Sequence, residues 1–325
     1  MATQEMILPD KVTEPTWSRA LRIVQSKLVV PVHVWKLVRA GWGNMELDQE
    51  LLSHIAQTSV GAGFVYDAAQ PDILGTASVV VSADDAIKSL GPRLLAAVLA
   101  VNYSCRTILR YHPPAHWEKL FREMITLIEV GSKIGARVPK IGVEGGIIMG
   151  FARPIALAFL LVSFPKEFRK WYLGGGEKKP KSFELEMFGC ETYQVSSFVL
   201  QQLGFGAELA MGAALGTGPI AAKHLVVSDE AKRWKSAALW IDALAGGRSF
   251  PGNVEAREFF PELRVEGGKP NTVLEVLYTE VGRVYKNGSA WTWHLPRPGY
   301  DETKRYLEEL GAAAGKSETS APQLT

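Results

Sequence analysis

The most apolar stretch of the chain, Val143–Phe164, restricts the folds that the protein can adopt. Glu144, Arg153 and Pro154 interrupt it, so that its longest uncharged part is Ile155–Phe164. That part is far shorter than the roughly 20 apolar residues with which a helix crosses a bilayer. The stretch is therefore predicted to be a buried core helix, and no membrane span is expected.

Helical periodicity continues through most of the chain. The apolar residues of Asp84–Tyr103 recur at steps of three and four, as they do on one face of a helix. Ser82 or Asp84 is expected to cap that helix, because a short side-chain oxygen accepts the free N–H groups of the first turn. Strand signals are short and border stronger helical patterns, so the chain is predicted to be all-α. The other predicted helices are Trp17–Ser26, Val32–Ala40, Asp48–Ala69, Pro114–Ile134, Pro165–Tyr172, Phe183–Leu203, Ala207–Leu215, Asp229–Ala245, Val254–Phe260, Thr272–Lys286 and Tyr300–Leu310.

The two ends of the chain differ in character from its middle. Residues 1–14 and roughly 312–325 are small and polar, which predicts flexible ends. Residues 15–290 are predicted to form one helical domain, and residues 291–325 a strap, a terminal helix and a tail. The strap is the aromatic, proline-bearing segment 291–299, which is expected to pack on the domain surface. Contact with a peptide or ligand is the alternative role for that segment.

Composition excludes several classes of protein. Apolar residues at 47% and charged residues at 22% are ordinary for a soluble globular protein, and a formal net charge of +2 predicts no nucleic-acid footprint. Cys105 and Cys190 stand far apart and outside any C-x-x-C spacing, so neither a disulfide framework nor a zinc knuckle is expected. The N-terminus has no basic segment followed by an apolar run, so no secretory signal is predicted. A cytoplasmic, reducing location is the resulting prediction.

Residues 184–205 are predicted to form a helix–loop–helix scaffold that could carry a metal ligand. Thr192 stands at the position where such a ligand would be wanted, and Met149-Gly150 form another vacancy of the same kind.

Several segments, in order along the chain, resemble the HDOD family, a helical bacterial output domain related to the HD phosphohydrolases. Gly146–Leu157 is similar in shape to the family element G-L-L-H-D-I-G, and Glu186–Gly216 to E-x-x-x-G-x-D-H-x-x-V-G-x-x-L. The resemblance covers roughly residues 24–245 and implies an HD-domain-like multi-helix bundle with an N-terminal helical lobe. The other matching segments are Leu28–Pro31, Asp48–Ala69, Asp84–Gly91 and Trp117–Gly135.

The departures from the family pattern decide the functional prediction. HD enzymes hold one or two metal ions with a His-Asp pair and flanking histidines, because imidazoles and carboxylates orient a divalent cation. The resemblance places Met149 and Gly150 at the His-Asp pair. It places Thr192, preceded by Glu191, at the next histidine, and Leu215-Gly216 at a final His-His pair. A thioether, a hydrogen, a hydroxyl and an isobutyl group cannot replace those ligands, so no catalytic residue, metal or cofactor is predicted.

The former ligand cavity is expected to be filled by packing, for which methionine is well suited. The histidines offer no second ligand set, because none has H-x-x-x-H or H-E-x-x-H spacing on a continuous helix. The side chains expected to fill the cavity are Met149, Phe151, Phe188, Tyr193 and Leu215. The six histidines are His33, His54, His112, His116, His224 and His294.

Some residue groups have two interpretations. The acids Glu184, Glu186 and Glu191 could act as paired carboxylates in acid–base catalysis. The favoured interpretation is that they lie at a helix N-terminus, which acids stabilise, and Glu186 could also brace a neighbouring helix. The glycines of 142–146 and 212–218 could form phosphate-binding loops, but the favoured interpretation is that they allow tight helix packing. A group of basic residues could form a contact patch for phosphates, but the favoured interpretation is that it lies in a solvated loop. Its members are Lys166, Arg169, Lys170, Lys178, Lys179 and Lys181.

The leading functional prediction is a non-catalytic HDOD-like module of bacterial signalling or regulation. It would act by binding an unidentified signalling protein or a small signal molecule, and a homo-oligomer is compatible with this role. One alternative is a residual metal-dependent phosphohydrolase acting on nucleotides. A second alternative is a nucleotide or nucleic-acid binder that uses the basic group.

Overall fold

The described part of the chain is almost entirely helical, as the periodicity predicts. A computed structural model describes residues 15–43, 82–114, 116–175, 182–217, 228–245, 259–263 and 272–289, with shorter pieces between 65 and 80 and at 265–266 and 269–270. The predicted helices Asp48–Ala69, Val254–Phe260 and Tyr300–Leu310 lie mostly or wholly outside these residues, as do the flexible ends and the strap at 291–299.

Eleven α-helices are named here within the described residues. They are α1 (Pro15–Lys27), α2 (Val32–Trp42), α3 (Ala83–Leu109), α4 (His116–Arg137), α5 (Gly142–Ser163), α6 (Pro165–Leu173), α7 (Ser182–Phe188), α8 (Thr192–Leu203), α9 (Ala207–Thr217), α10 (Asp229–Ala245) and α11 (Thr272–Asn287). A short 3-10 helix (Pro261–Leu263) follows α10, and the strands β1 (Val265–Glu266) and β2 (Lys269–Pro270) pair antiparallel before α11.

Helix α5 lies at the centre of the core, as its apolar sequence predicts. Almost every residue from Gly145 to Leu161 is buried, and Pro154 is accommodated inside the helix. By length and composition α5 could cross a membrane, but 89% of its most apolar window is buried inside the protein. The helix is therefore covered by other helices, as the core helix of a soluble protein is.

Helix α3 begins as predicted but contains an unpredicted break. The Ser82 hydroxyl accepts a hydrogen bond from the Asp85 N–H, so Ser82 is the N-cap. Gly91 has φ +70°, ψ 171°, a conformation that only glycine adopts readily, and Pro92 follows it. The helix therefore changes direction at Gly91 before continuing to Leu109, beyond the predicted end.

The helix–loop–helix predicted for residues 184–205 is confirmed, whereas the prediction of one helix over Phe183–Leu203 is wrong. Gly189 has φ +72°, which ends α7, and α8 begins at Thr192. One continuous helix was predicted because the apolar periodicity on both sides of the break is compatible with it. A glycine in the sequence does not show whether its φ is positive.

Helix α1 packs against α8, which is far away in sequence. The Trp17 ring makes edge contacts with the rings of Tyr193 and Phe198, and Gln194 donates a hydrogen bond to the Thr16 hydroxyl. A contiguous cluster of buried apolar residues extends from Trp17 to Val281. The described helices thus share one hydrophobic core.

Candidate functional site

The first predicted vacancy, Met149-Gly150, lies at a close crossing of α4 and α5. A Cβ added to Gly150 would lie 2.1 Å from the carbonyl oxygen of Leu127, far inside van der Waals contact. Met149 is buried beside it. An aspartate at position 150 therefore requires α4 to move away from α5, and this position is a packing contact.

Gly150 belongs to a row of glycines, the α4–α5 glycine seam, that lets the two backbones touch. Gly142, Gly146 and Gly150 recur every four residues along one side of α5. A Cβ on Gly146 would lie 1.8 Å from the Gly131 carbonyl oxygen, and one on Gly135 would lie 1.9 Å from the Gly142 oxygen. These contacts confirm that the glycines of 142–146 serve helix packing.

The third predicted vacancy, Leu215-Gly216, lies at a second close crossing, between α9 and α10. A Cβ on Gly216 would lie 2.5 Å from the Cβ of Ala238, and one on Gly212 would lie 2.5 Å from the Ala231 carbonyl oxygen. Leu215 is buried here. The glycines of α9 therefore also serve helix packing, as favoured from the sequence.

The second predicted vacancy, Glu191-Thr192, is the junction between α7 and α8. The Glu184 carboxylate accepts a hydrogen bond of 2.8 Å from the Thr192 N–H, and the Gln194 side-chain oxygen accepts one of 3.0 Å from the Glu191 N–H. Both bonds satisfy N–H groups at the start of α8. These acids lie at helix ends, as the favoured interpretation predicted. The acid that braces the neighbouring helix is Glu184 and not Glu186, which is exposed.

Thr192 itself has a buried hydroxyl without a hydrogen-bond partner among the described residues. The residue is only 7% exposed. Nearby, burial raises the pKa of the Cys190 thiol to about 12, against a lowering effect of Arg19 and raising effects of Glu184 and Glu191. Cys105 is also buried, and burial raises the pKa of its thiol. Both thiols are held protonated at neutral pH, which makes them poor nucleophiles.

The five side chains predicted to fill one cavity contact different neighbours. Phe188 packs against the rings of Phe164, Phe168 and Trp171, near α6. Tyr193 packs instead against Trp17 of α1. The described contacts therefore show no shared cavity plugged by all five. The remaining three, Met149, Phe151 and Leu215, are buried.

The described residues do not fit a divalent cation. Among them, no three His, Cys, Asp or Glu side chains converge as a metal site needs. His112 is exposed with φ +48°, and α4 begins only at His116, so these two do not share a helix face. His33 is exposed, and the other three histidines lie outside the described residues.

The basic group is only partly covered by the structure. Lys166, Arg169 and Lys170 are exposed on α6, whose buried face carries Phe168 and Trp171. Lys178, Lys179 and Lys181 lie outside the described residues. The described half is a solvated helix face.

One polar cluster was missed from the sequence: an ion pair that links α5 to α10. Arg153 and Asp242 approach to 3.2 Å, one turn along α5 from Met149. Burial raises the pKa of Tyr285 on α11, and the carboxylates of Glu123 and Asp242 raise it further. Arg153 stood out as a charge in an apolar helix, but its partner is 89 residues away, so the sequence did not indicate the pair.

The fold matches three solved structures, one of which is described as an HDOD domain protein. An HDOD domain protein with unknown function from Geobacter sulfurreducens superposes with a TM-score of 0.61 at 14% identity, over 85% of this chain and 96% of that chain. A candidate phosphohydrolase from Shewanella amazonensis SB2B gives a TM-score of 0.57 at 15% identity, over 86% of this chain and 98% of that chain. A candidate signal transduction protein from Marinobacter aquaeolei VT8 gives 0.58 at 14% identity, over 82% of this chain and 59% of that chain.

These comparisons establish an all-α, HDOD-like fold, as the resemblance implies. Sequence identities this low show a shared architecture but not a shared activity, because one fold hosts many functions. No protein-family profile matches the sequence, and neither does any curated protein.

Proposed function

We propose that the protein is a non-catalytic, cytoplasmic module of signalling or regulation that acts by binding. The observation that supports this most strongly is the close packing at two of the three positions where HD enzymes carry ligands. Gly150 touches the backbone of α4, and Gly216 touches α10. A ligand side chain at either position would have to displace a packed helix, which rigid protein interiors resist.

The third ligand position supports the same proposal. Thr192 offers a hydroxyl, which is a weak ligand for a catalytic divalent cation beside imidazole or carboxylate. The carboxylate of Glu184 and the amide of Gln194, which lie close to it, already bond the N-terminus of α8. The polar groups at this junction thus have structural partners.

A hydrolytic role is the main competitor, since one structural neighbour is described as a candidate phosphohydrolase. The two roles are separated by equilibrating the purified chain with Mn²⁺, removing free metal and measuring bound manganese. Hydrolysis of bis(p-nitrophenyl) phosphate is followed in parallel. We expect substoichiometric metal and no turnover above buffer. Stoichiometric manganese with turnover that is lost in Glu191→Ala would overturn the binding role.

The alternative, a nucleotide or nucleic-acid role, would use Lys166, Arg169 and Lys170, which are exposed on α6. Such binding would weaken steeply with salt, because bound phosphates release counterions. Neutralising Lys178, Lys179 and Lys181 together would then reduce the affinity. We expect no salt-dependent binding of a labelled oligonucleotide and no effect of the triple variant.

A further inference from the structure

A basic and apolar surface lies where the α1–α2 turn meets the C-terminal end of α3. Val29 is 72% exposed and Val32 is 68% exposed, although both are large apolar side chains in a well-packed region. The Lys27 ammonium lies over the Tyr111 ring, 4.4 Å from its centroid. We define the turn surface as Lys27, Val29 and Val32 from the side of the turn, together with Arg106, Arg110 and Tyr111 from the end of α3.

Two tyrosines hold the turn surface in place, Tyr103 within α3 and Tyr111 just beyond its C-terminal end. The Tyr103 hydroxyl donates a hydrogen bond to the Val29 carbonyl oxygen, and the Tyr111 hydroxyl donates one of 3.0 Å to the Lys27 carbonyl oxygen. Both bonds fix the backbone of the turn. A partner that binds here meets a preorganised surface and loses little entropy in ordering it.

Within the part of the chain that the structure describes, no acidic side chain pairs with the positive charges of the turn surface. Residues 15–43 and 86–114 contain no Asp or Glu. Arg106 lies on α3, one helical turn before Arg110, which directly follows the helix. Neither forms an ion pair with the acids of the described residues. Burial lowers the pKa of Arg106, and the positive charge of Arg110 lowers it further. The two guanidinium groups therefore repel each other, and a bound anionic group would relieve that repulsion.

We infer that the turn surface binds an acidic protein segment that also presents apolar side chains. The carboxylates of the segment would bond Arg106 and Arg110, for which the guanidinium fork is suited. Its apolar side chains would cover Val29 and Val32. This inference rests on the proposed binding function and names the chemistry of the partner.

Other occupants fit the turn surface less well. Nucleic acid would match Arg106 and Arg110 but would leave exposed valines against its phosphates. A membrane surface favours Trp, Phe and Leu as inserted side chains, and the apolar members here are two valines and a tyrosine. An acidic protein segment uses both the charge and the apolar area.

The test begins with selection of short peptides from a displayed random library on the immobilised full chain. We expect the enriched peptides to combine Asp or Glu with Leu, Ile or Phe. Their affinity for the free chain is then measured by fluorescence anisotropy. In Arg106→Ser/Arg110→Ser and in Val29→Ser/Val32→Ser we expect the affinity to fall by about tenfold or more, and to fall with added salt in the wild type.

Exposed basic residues elsewhere provide the matched control. The variant Lys166→Ser/Arg169→Ser/Lys170→Ser removes three positive charges from α6 and should bind the peptides as the wild type does. All variants are compared by circular dichroism and thermal melting, because their side chains are partly or fully exposed and the fold should persist.

Three results would overturn the inference. One is a set of enriched peptides whose affinity does not depend on the turn surface. Another is loss of binding to phosphatidylglycerol vesicles or to an oligonucleotide in the turn-surface variants, which would assign the surface to a membrane or to nucleic acid. The third is tight binding of a synthetic peptide with the sequence of residues 1–14, whose Glu5 and Asp10 flank an apolar run, since the occupant would then belong to the chain itself.

The inference and the proposed function fail separately. Manganese-dependent turnover would refute the proposed non-catalytic role whatever the peptides do. Peptide binding that maps to another face, with no turnover, would refute the turn surface and leave the binding role intact.

Discussion

Gly131 and Gly146 face each other across the α4–α5 crossing so closely that a Cβ on Gly131 would lie 2.0 Å from the Gly146 carbonyl oxygen. Neither helix can carry a side chain at this point. The α4–α5 glycine seam thereby fixes how closely α4 approaches α5, the helix that contains Met149 and Gly150.

The first prediction concerns this seam. Gly146→Ala should destabilise the protein by about 3 kcal/mol or more, because the methyl group forces packed backbones apart. Intrinsic helix propensity alone would favour alanine by about 1 kcal/mol, so the sign is diagnostic. The matched control is Gly282→Ala on α11, where an added Cβ has no atom within 4 Å. It should stabilise by about 0.4–1 kcal/mol in urea unfolding.

The second prediction concerns restoring the ligands. Gly150→Asp should lower the midpoint of thermal unfolding sharply or abolish soluble expression, because the carboxylate has no room beside Leu127. The combined variant Met149→His/Gly150→Asp/Thr192→His should bind no stoichiometric Mn²⁺. A combined variant that melts like the wild type and retains manganese after desalting would show that the crossing can open.

The third prediction compares two hydroxyls on α8. Thr192→Val should leave stability unchanged or raise it by about 0.5–1 kcal/mol, because it removes a buried hydroxyl that has no partner among the described residues. Ser196→Ala should instead cost about 1 kcal/mol, because the Ser196 hydroxyl donates a hydrogen bond to the Ala152 carbonyl oxygen at 2.9 Å. Equal losses in the two variants would mean that Thr192 has a partner in solution.

The fourth prediction concerns alkaline pH. Burial, Glu123 and Asp242 raise the pKa of Tyr285 above its ordinary value of 10.0 in the folded protein. Above pH 10 the unfolded chain loses this proton first, so stability should fall as the pH rises from about 10 through the folded pKa. Asp242→Asn should lower the pKa of Tyr285. The absorbance titration of tyrosinate, with Tyr285→Phe to identify the signal, measures this, and an unshifted pKa would contradict it.

The fifth prediction concerns the ion pair between α5 and α10. A double-mutant cycle with Arg153→Met and Asp242→Asn should give a coupling free energy of about 0.5–1 kcal/mol, because both side chains remain partly exposed. The coupling should shrink in about 1 M salt, where charges are screened within ~3 Å. A coupling that is insensitive to salt would indicate packing between the two side chains.

Local sequence patterns predicted the helices well where packing follows periodicity. The predicted bounds of Asp229–Ala245 agree with α10, and Thr272–Lys286 differs from α11 by one residue. Apolar periodicity alone did not locate the breaks at Gly91 and Gly189, because each depends on a positive φ that the surrounding packing imposes. A glycine in a helical pattern shows that a positive φ is allowed at that position, but not that the backbone adopts it.

The candidate site was harder to predict than the fold. The sequence indicated that Met149, Thr192 and Leu215 do not supply the ligands of an HD site, and the structure places each of them in packed or capped surroundings. It did not indicate the pairing of Arg153 with Asp242 or the exposure of Val29. Both depend on contacts between residues far apart in the chain, which periodicity does not encode.

The edge contact between Trp17 and Phe198, whose ring centroids are 5.6 Å apart, also affects how the chain is made. During synthesis, Trp17 emerges from the ribosome about 10–40 seconds before Phe198, at ~5–20 residues per second. For that interval the side of the first helix that carries Trp17 lacks the rings of Tyr193 and Phe198, and it stays available to chaperones. The newborn protein therefore closes its N-terminal part late, after more than half of the chain has been translated.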